Sequence, residues 1–585
     1  MEIDELLKQA RRLAKKIKKE GNIKTDLRIA VLGTNSIQYF VMVLRLLLNS
    51  EGISANIYEG EYNGIMMDVM ESDSQLYRFK PEIVILLPDY RDLKIFPNTL
   101  EERENLEKLI DSVKDLYITY WERISEIPGC QILQSNYVIP PERIYGNIER
   151  SEYFSITRYL EIINQMMIEV KRPNVSIIDL DLLAQNIGKW NWFDDTSYYL
   201  TKAGFRIDYI EDVTQIFVRQ ILALKGKTRK CLVLDLDNTL WGGIVGDDGW
   251  DGIQLDPNNA VGEAFRDFQA YILQLKRRGV ILSVVSKNDI ANAKEPFEKN
   301  AHMILHFDDI AAFQANWDDK VTNIRRVANE LNIGIDSLVF FDDNPAEREI
   351  VKSYLPEVLV IDVPKDPALY KRALDKASPF DWLQITKEDV FRSNSYIDNR
   401  KRTELQMQFV DYDEYLKSIE MVGEVKEPEM SDLQRFTQLL NKSNQFNLRT
   451  IRYSESEIGE IYSAKDKKCL CAELTDKFSE YGIISCVILS KNGESCFIES
   501  WVMSCRVLKR GVEDMVFKGI IKVAKEWNCT VISGEYVPSE KNSMVRDFYD
   551  MLGFTEDSEQ GGVRHYSYYV SNPYTKKVFI NKKED

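Results

Sequence analysis

Histidine is almost missing from this chain: 585 residues contain three, His302, His306 and His565. With none in the N-terminal part, a hydrolase there whose serine is deprotonated by histidine is excluded. Cysteine is sparse as well. The eight residues are scattered, and Cys469 and Cys471 stand closer together than a Cys-x-x-Cys pair, so neither a disulfide framework nor a thiolate metal site is expected. No apolar run approaches about 20 residues, which leaves no membrane span. The opening Met1-Glu2-Ile3-Asp4-Glu5 and the Lys-rich helix after it do not read as a signal peptide, and the expected location is the cytoplasm. Positive charge is in deficit, 76 Lys and Arg against 93 Asp and Glu, for a net charge of -17. That argues against nonspecific binding to nucleic acid or to anionic membranes. An acidic partner would have to dock on a local basic patch. Internal repeats and low-complexity tracts are also lacking. The length exceeds one core and predicts three or four domains at about 150 residues each.

What is present begins at Asp235-Leu236-Asp237-Asn238-Thr239, directly after the apolar run Cys231-Leu232-Val233-Leu234. A buried strand ending in Asp-x-Asp aims its acids into the crevice beyond the sheet's C-terminal edge, where α/β folds place ligands. Two acids so close repel unless a cation lies between them, which points to Mg²⁺. One carboxylate then attacks phosphorus while the other moves a proton. Taken alone, the same spacing also suits a turn or a helix cap.

Three further segments follow in order. Val280 to Ser286 reads as a second buried strand ending in a hydroxyl, then Lys287-Asn288-Asp289. Lys320 precedes a helical stretch from Val321 to Leu331, and Ser337 to Phe341 is an apolar strand ending in Asp342-Asp343-Asn344. Nucleophile strand, hydroxyl strand, lysine and acidic strand resemble the four motifs of the haloacid dehalogenase (HAD) phosphotransferase superfamily. The resemblance implies Asp235 as nucleophile and Asp237 as general acid/base. The metal ligands would be Asp235, Asp237, Asp342 and Asp343, and Thr239, Ser286, Lys287, Lys320 and Asn344 would bind substrate. The Gly-rich piece Trp241 to Gly249 reads as a β-hairpin flap. Neither gap between motifs holds a separate cap domain, so the site should be open to a bulky or delivered substrate.

The wording Cys231 to Gly243 and Phe341-Asp342-Asp343-Asn344-Pro345-Ala346-Glu347-Arg348-Glu349 is more specific and looks like the FkbH-like branch of that superfamily. This resemblance implies an enzyme of polyketide-type pathways. Such an enzyme takes the glyceryl group of 1,3-bisphosphoglycerate, removes phosphate, and loads the acyl group onto the phosphopantetheine thiol of an acyl carrier protein. Two rivals stand beside it: a Mg²⁺-dependent phosphatase of a sugar phosphate or phosphoprotein, and an inactive assembly protein.

The predicted fold is multidomain α/β: an SGNH/flavodoxin-like domain (1–224), a capless Rossmann-like HAD domain (225–365), a helical connector (366–421) and a GNAT-like α+β domain (422–585). In the first, strand Leu27 to Leu32 runs into Gly33-Thr34-Asn35-Ser36, but Ser36 has no histidine to activate it, which favours a docking, lid or structural module. In the connector, Thr386 reads as an N-cap with Asp389 at the capping-box position, and Asn399 to Glu404 as a solvated helix face. The last domain resembles GNAT acyltransferases, but Lys509 and Val512 depart from their pyrophosphate-binding loop. A phosphopantetheine arm gripped by Arg506, Lys509 and Arg510 is the alternative, with ordinary exposed turn residues as the plain one. Lys442-Ser443-Asn444-Gln445-Phe446-Asn447 resembles a stretch of the same family. Its amides, Asn444 among them, either bind pantetheine or close a turn on their own backbone. Cys505, beside Arg506 and before a helix, is the candidate acyl-accepting thiol, whereas Cys231 faces the core.

Overall fold

The computed structural model describes residues 3–20, 26–385, 389–390, 396, 398, 400, 402, 405–406, 408–409, 411–504, 507–539 and 541–582. The chain forms two compact units, Met1–Leu222 and Ala223–Asp585.

The first unit is a parallel sheet with order β2-β1-β3-β4-β5, a flavodoxin-like winding. Its strands are β1 (Leu27–Gly33), β2 (Ala55–Glu59), β3 (Ile83–Leu87), β4 (Gln131–Ser135) and β5 (Val175–Ile178). All five residues of β3 are buried, the continuous apolar run of a strand covered on both faces. Beyond the C-terminal ends lies a cavity bordered by Asn35, Ser36, Asp89, Ser135, Trp192 and Phe205, among others. Burial pushes the Asp89 carboxyl up to about 6, against the pull of Arg91.

The second unit holds two sheets. The first has order β10-β9-β6-β7-β8 and is parallel throughout. Its strands are β6 (Cys231–Leu234), β7 (Ile281–Ser286), β8 (Ala312–Ala315), β9 (Leu338–Phe341) and β10 (Leu359–Val360). Leu234 pairs with Phe341 on one side and Val284 on the other, so β6 ends between β9 and β7. The residues after each strand open onto one crevice. The expected hairpin over Trp241 to Gly249 is not formed. The segment is instead helical from Val245 to Gly252, with a break at Gly249. The Asp248 carboxylate accepts the Ile244 N–H at 2.8 Å and closes this turn. Gly243 permits it: φ is 95°, and a Cβ there would lie 2.5 Å from the same carboxylate.

The other sheet, mixed and eight-stranded among the described residues, has order β16-β17-β15-β14-β13-β12-β11-β18. Here β11 is Val422–Lys426, β12 Lys467–Thr475, β13 Glu480–Asn492, β14 Ser495–Met503 and β15 Val531–Tyr536; β16, β17 and β18 are Thr555–Gln560, Val563–Tyr569 and Asn581–Lys582. Strands β13 and β14 form the expected antiparallel hairpin, whereas β14 and β15 run parallel from Ser495–Val531 to Ile498–Gly534. Past that point Leu448 bridges the two: its N–H donates to the Trp501 carbonyl, and its own carbonyl accepts the Val537 N–H at 2.9 Å.

Between the sheets, Thr386 and four of the six residues from Asn399 to Glu404 lie outside the described residues. The solvated-face reading of that stretch is corrected at Arg400 and Arg402. Arg400 donates to the Ile310 carbonyl at 2.7 Å and pairs with Asp308. Arg402 is buried and holds both oxygens of Asp476 at 2.8 Å. A guanidinium paired to this depth is a structural tether rather than a wet surface group.

Candidate active site

Asp235 follows β6 and Asp342 follows β9, adjacent in register. One oxygen each of Asp235, Asp342 and Asp343 fall within 4.8 Å of one another. Three converging hard oxygen donors fit a small divalent cation. Lys320 answers only part of their charge. It opens the helix Lys320–Glu330, whose N-cap is the Asp319 side chain, and its side chain is 2% exposed. Its ammonium lies 2.7 Å from Asp235 and 3.2 Å from Asp342, and donates to the Val285 carbonyl at 2.7 Å. Burial alone would lower the lysine pKa, but the two carboxylates outweigh it and raise it. Burial first, then repulsion from Asp235, pushes Asp342 up to about 7 and Asp343 up to about 6. These acids are strained for want of positive charge, as expected of a cation site.

Asp237 behaves differently from its assignment. Its Oδ1 accepts the Trp241 indole N–H at 2.9 Å and the Val245 backbone N–H at 3.0 Å; its Oδ2 accepts Asn288 Nδ2–H at 2.9 Å. Held by three donors, its carboxylate lies outside the three-acid cluster. Burial raises its pKa, opposed by the Val245 and Trp241 hydrogen bonds. Thr239 is also re-placed. It is fully buried, and its hydroxyl exchanges hydrogen bonds with the Asp343 carboxylate (3.3 Å) and backbone N–H (3.2 Å), so it positions an acid of the cluster. Asn344 caps the helix Pro345–Tyr354 through the Ala346 N–H, and its own N–H donates to Asp342 at 2.8 Å. Ser286 ends β7 at 2% exposure, and Lys287 pairs with Glu347 at 2.5 Å.

Trp241, Asn288 and Arg348 were not singled out from the sequence. Arg348 is buried and donates to the carbonyls of Asp342 and Asp343, both at 2.8 Å. All three lie inside the motif segments, yet nothing in spacing marks an indole as a donor to an aspartate four residues earlier.

Cys505 and Arg506 lie outside the described residues. Arg510 is buried, bonded to the Tyr481 hydroxyl at 2.5 Å and 3.4 Å from Asp476, so it does not offer a free cation to a phosphate. The Lys509 N–H donates to the Glu513 carboxylate at 3.0 Å, an acid in the first turn of the helix Val512–Glu526. The Asn444 side chain accepts from Arg452 and donates to the Gly226 carbonyl. Asn447 is fully buried and receives the N–H groups of Arg449 and Thr450 at 3.3 and 2.7 Å, which is the turn reading of that stretch. Cys231 is core: it contacts the Ser283 hydroxyl, and burial pushes its thiol up to about 12.

A parallel sheet with Asp, Ser, Lys and paired Asp at its C-terminal edge defines a HAD-type phosphatase fold, and with it an enzyme. Residues 28–222 match the FkbH N-terminal domain family. Residues of the chain also match the crystal structure of the N-terminal part of protein BF1531 from Bacteroides fragilis, which contains a phosphatase domain and is complexed with Mg. Identity is 33%, over 65% of this chain and 99% of that one, with a TM-score of 0.60. The chain belongs to the FkbH-like family of HAD proteins. Two acetyltransferase structures match at TM-scores of 0.21 and 0.20. One is the ribosomal-protein-S18-alanine N-acetyltransferase of Escherichia coli (11% identity, 26% of this chain, 96% of that one). The other is the GNAT domain of S. lividans PAT (18%, 25% and 89%). No curated protein matches the chain. Among the described residues no helix is long and apolar enough to cross a membrane.

Proposed function

We propose that this protein is a Mg²⁺-dependent enzyme that dephosphorylates 1,3-bisphosphoglycerate and transfers the glyceryl group to the phosphopantetheine thiol of an acyl carrier protein. The observation carrying the phosphoryl half is the buried Lys320 ammonium beneath Asp235, Asp342 and Asp343. Mg²⁺ would be held by these three carboxylates and would supply charge neutralisation on the phosphoryl oxygens.

The chain's own residues divide the work. Asp235, at the end of β6, attacks phosphorus and forms an aspartyl phosphate as the P–O bond to the leaving group breaks. Asp237 gives the leaving oxygen its proton and later takes one from the water that hydrolyses the aspartyl phosphate. Ser286 and Lys320 hold the phosphoryl oxygens. Attack on the acyl phosphate would release a free carboxylate and destroy the activated acyl group. Asp235 therefore acts on the phosphoester at the far carbon. The acyl phosphate keeps its anhydride bond until a thiol attacks the carbonyl, expelling phosphate and losing its proton. That thiol is either the carrier's own or Cys505, in which case the carrier thiol then attacks the Cys505 thioester and releases the Cys505 thiol. The basic loop supports carrier binding less than its residues imply, since Arg510 is engaged internally, as is Asn444 in the separate Lys442–Asn447 stretch. The plain-phosphatase reading draws on the same site.

Intact-protein mass spectrometry of a panel of holo carrier proteins, with enzyme, Mg²⁺ and 1,3-bisphosphoglycerate made in situ, tests the assignment. A glyceryl mass shift that requires Asp235 is expected. Phosphate release with no acylated carrier would replace this function by the phosphatase.

A further inference from the structure

The ion pair between Lys287 and Glu347 lies at a telling place in the sheet. Lys287 follows Ser286, the last residue of β7, and Glu347 is in the first turn of the helix after β9. Strand β6 runs between β7 and β9. A bond joining the segments beyond the two flanking strands therefore crosses the end of β6, where Asp235 and Asp237 stand. Two strand spacings, about 9.5 Å, separate those flanks, and the two side chains close that distance to a contact of 2.5 Å. The Lys287 side chain is 41% exposed and that of Glu347 14%, so the lysine end of the pair faces solvent while the carboxylate end is largely covered.

Another cation of the crevice is already committed. Lys320 is buried between Asp235, Asp342 and the Val285 carbonyl, and serves the phosphoryl group under attack. A substrate with a second anionic group needs a second cation, placed at the rim and able to leave its present partner. Lys287 meets both conditions, and Glu347 is the carboxylate the anion would displace.

We infer that the Lys287–Glu347 pair is a latch across the catalytic crevice that opens to a substrate carrying two phosphoryl groups, Lys287 taking the one that is not attacked. This rests on the function proposed above and deepens it. With one phosphate on Asp235 and the other on Lys287, the substrate enters as the free bisphosphate, and dephosphorylation precedes acyl transfer. It also separates the substrate from monophosphates, for which the latch offers no gain.

Calorimetric titration with 1,3-propanediol bisphosphate and with propyl phosphate tests this, in Mg²⁺ and in the Asp235→Asn background so that neither is turned over. Lys287→Ala should weaken the bisphosphate at least tenfold and propyl phosphate less than twofold. Glu347→Gln, which frees the lysine, should tighten the bisphosphate severalfold. Equal effects on both ligands, no effect on either, failure of either to bind, or weaker bisphosphate binding in Glu347→Gln would overturn the latch. Phosphate release from 1,3-bisphosphoglycerate by the wild-type enzyme is scored separately. Its absence beside the predicted binding pattern would remove the proposed substrate and leave the latch standing.

Discussion

At the scale of single residues, Lys320 and Asp237 illustrate two ways of holding a catalytic group. Lys320 is fixed by charge, its ammonium buried between two carboxylates whose combined pull exceeds the cost of burying it. Asp237 is fixed by hydrogen-bond direction, with an indole, a backbone N–H and an amide all donating to one carboxylate. Asn288 acts through Asp237, as a positioning residue. Asn288→Ala should lower kcat about 10- to 100-fold, the usual cost of losing an orienting partner, with Mg²⁺ affinity unchanged because Asp237 is outside the carboxylate cluster. Steady-state kinetics beside a Mg²⁺ titration checks both halves. The acids themselves were legible in the sequence because each follows an apolar strand, and a parallel sheet brings strand ends together. Their supports were not. Thr239 looks like a substrate-facing hydroxyl in the motif, and only the fold shows it turned to Asp343.

At the scale of elements, the connector does more than join two sheets. Arg400 reaches the carbonyl of Ile310, just before β8, while Arg402 reaches Asp476, just after β12. A run of Asn, Arg, Lys, Arg, Thr and Glu reads as surface because charge is normally solvated, and a buried partner 74 positions away leaves no local trace. The Gly-rich segment after Trp241 misled for a similar reason. Glycines suggest a hairpin, but the Asp248 carboxylate closes a helical turn instead. Arg402→Ala should destabilise the second unit by about 3–5 kcal/mol, the cost of stranding a buried partner charge; denaturant unfolding measures it. The same pair predicts acid sensitivity. Although burial would raise it, the Asp476 pKa is held below its usual value by Arg402 and by the Phe478 and Ser479 N–H groups. Its stabilisation is thus complete above the unfolded carboxyl value, about 3.9, and lost as pH falls through the lower folded value. In Arg402→Ala that loss should begin at higher pH, a shift visible in pH-dependent melting.

At the scale of the whole molecule, the two compact units predict two transitions on heating. The carboxylate cluster belongs to Ala223–Asp585, so Mg²⁺ should raise only the transition of that unit. At 100 times the dissociation constant the gain is about 2.7 kcal/mol. Scanning calorimetry with Mg²⁺ and with chelator checks this, and a shift of both transitions would place a second cation site in Met1–Leu222. The three-sheet layout was readable from the sequence because buried parallel strands and an antiparallel hairpin have different apolar patterns. What the third sheet offers a partner was not, since Arg510 and Asn444 show their internal bonds only in the folded chain.

The central claim is that Asp235, backed by Lys320, is a phosphoryl-transfer centre that needs a divalent cation. Phosphate release from 1,3-bisphosphoglycerate, followed with Mg²⁺ and with chelator in wild type and Asp235→Asn, tests it most directly. Release is expected only in wild type with Mg²⁺, with Asp235→Asn reduced at least about a thousandfold, roughly 4 kcal/mol of transition-state stabilisation. Release that survives Asp235→Asn or chelation would contradict the account.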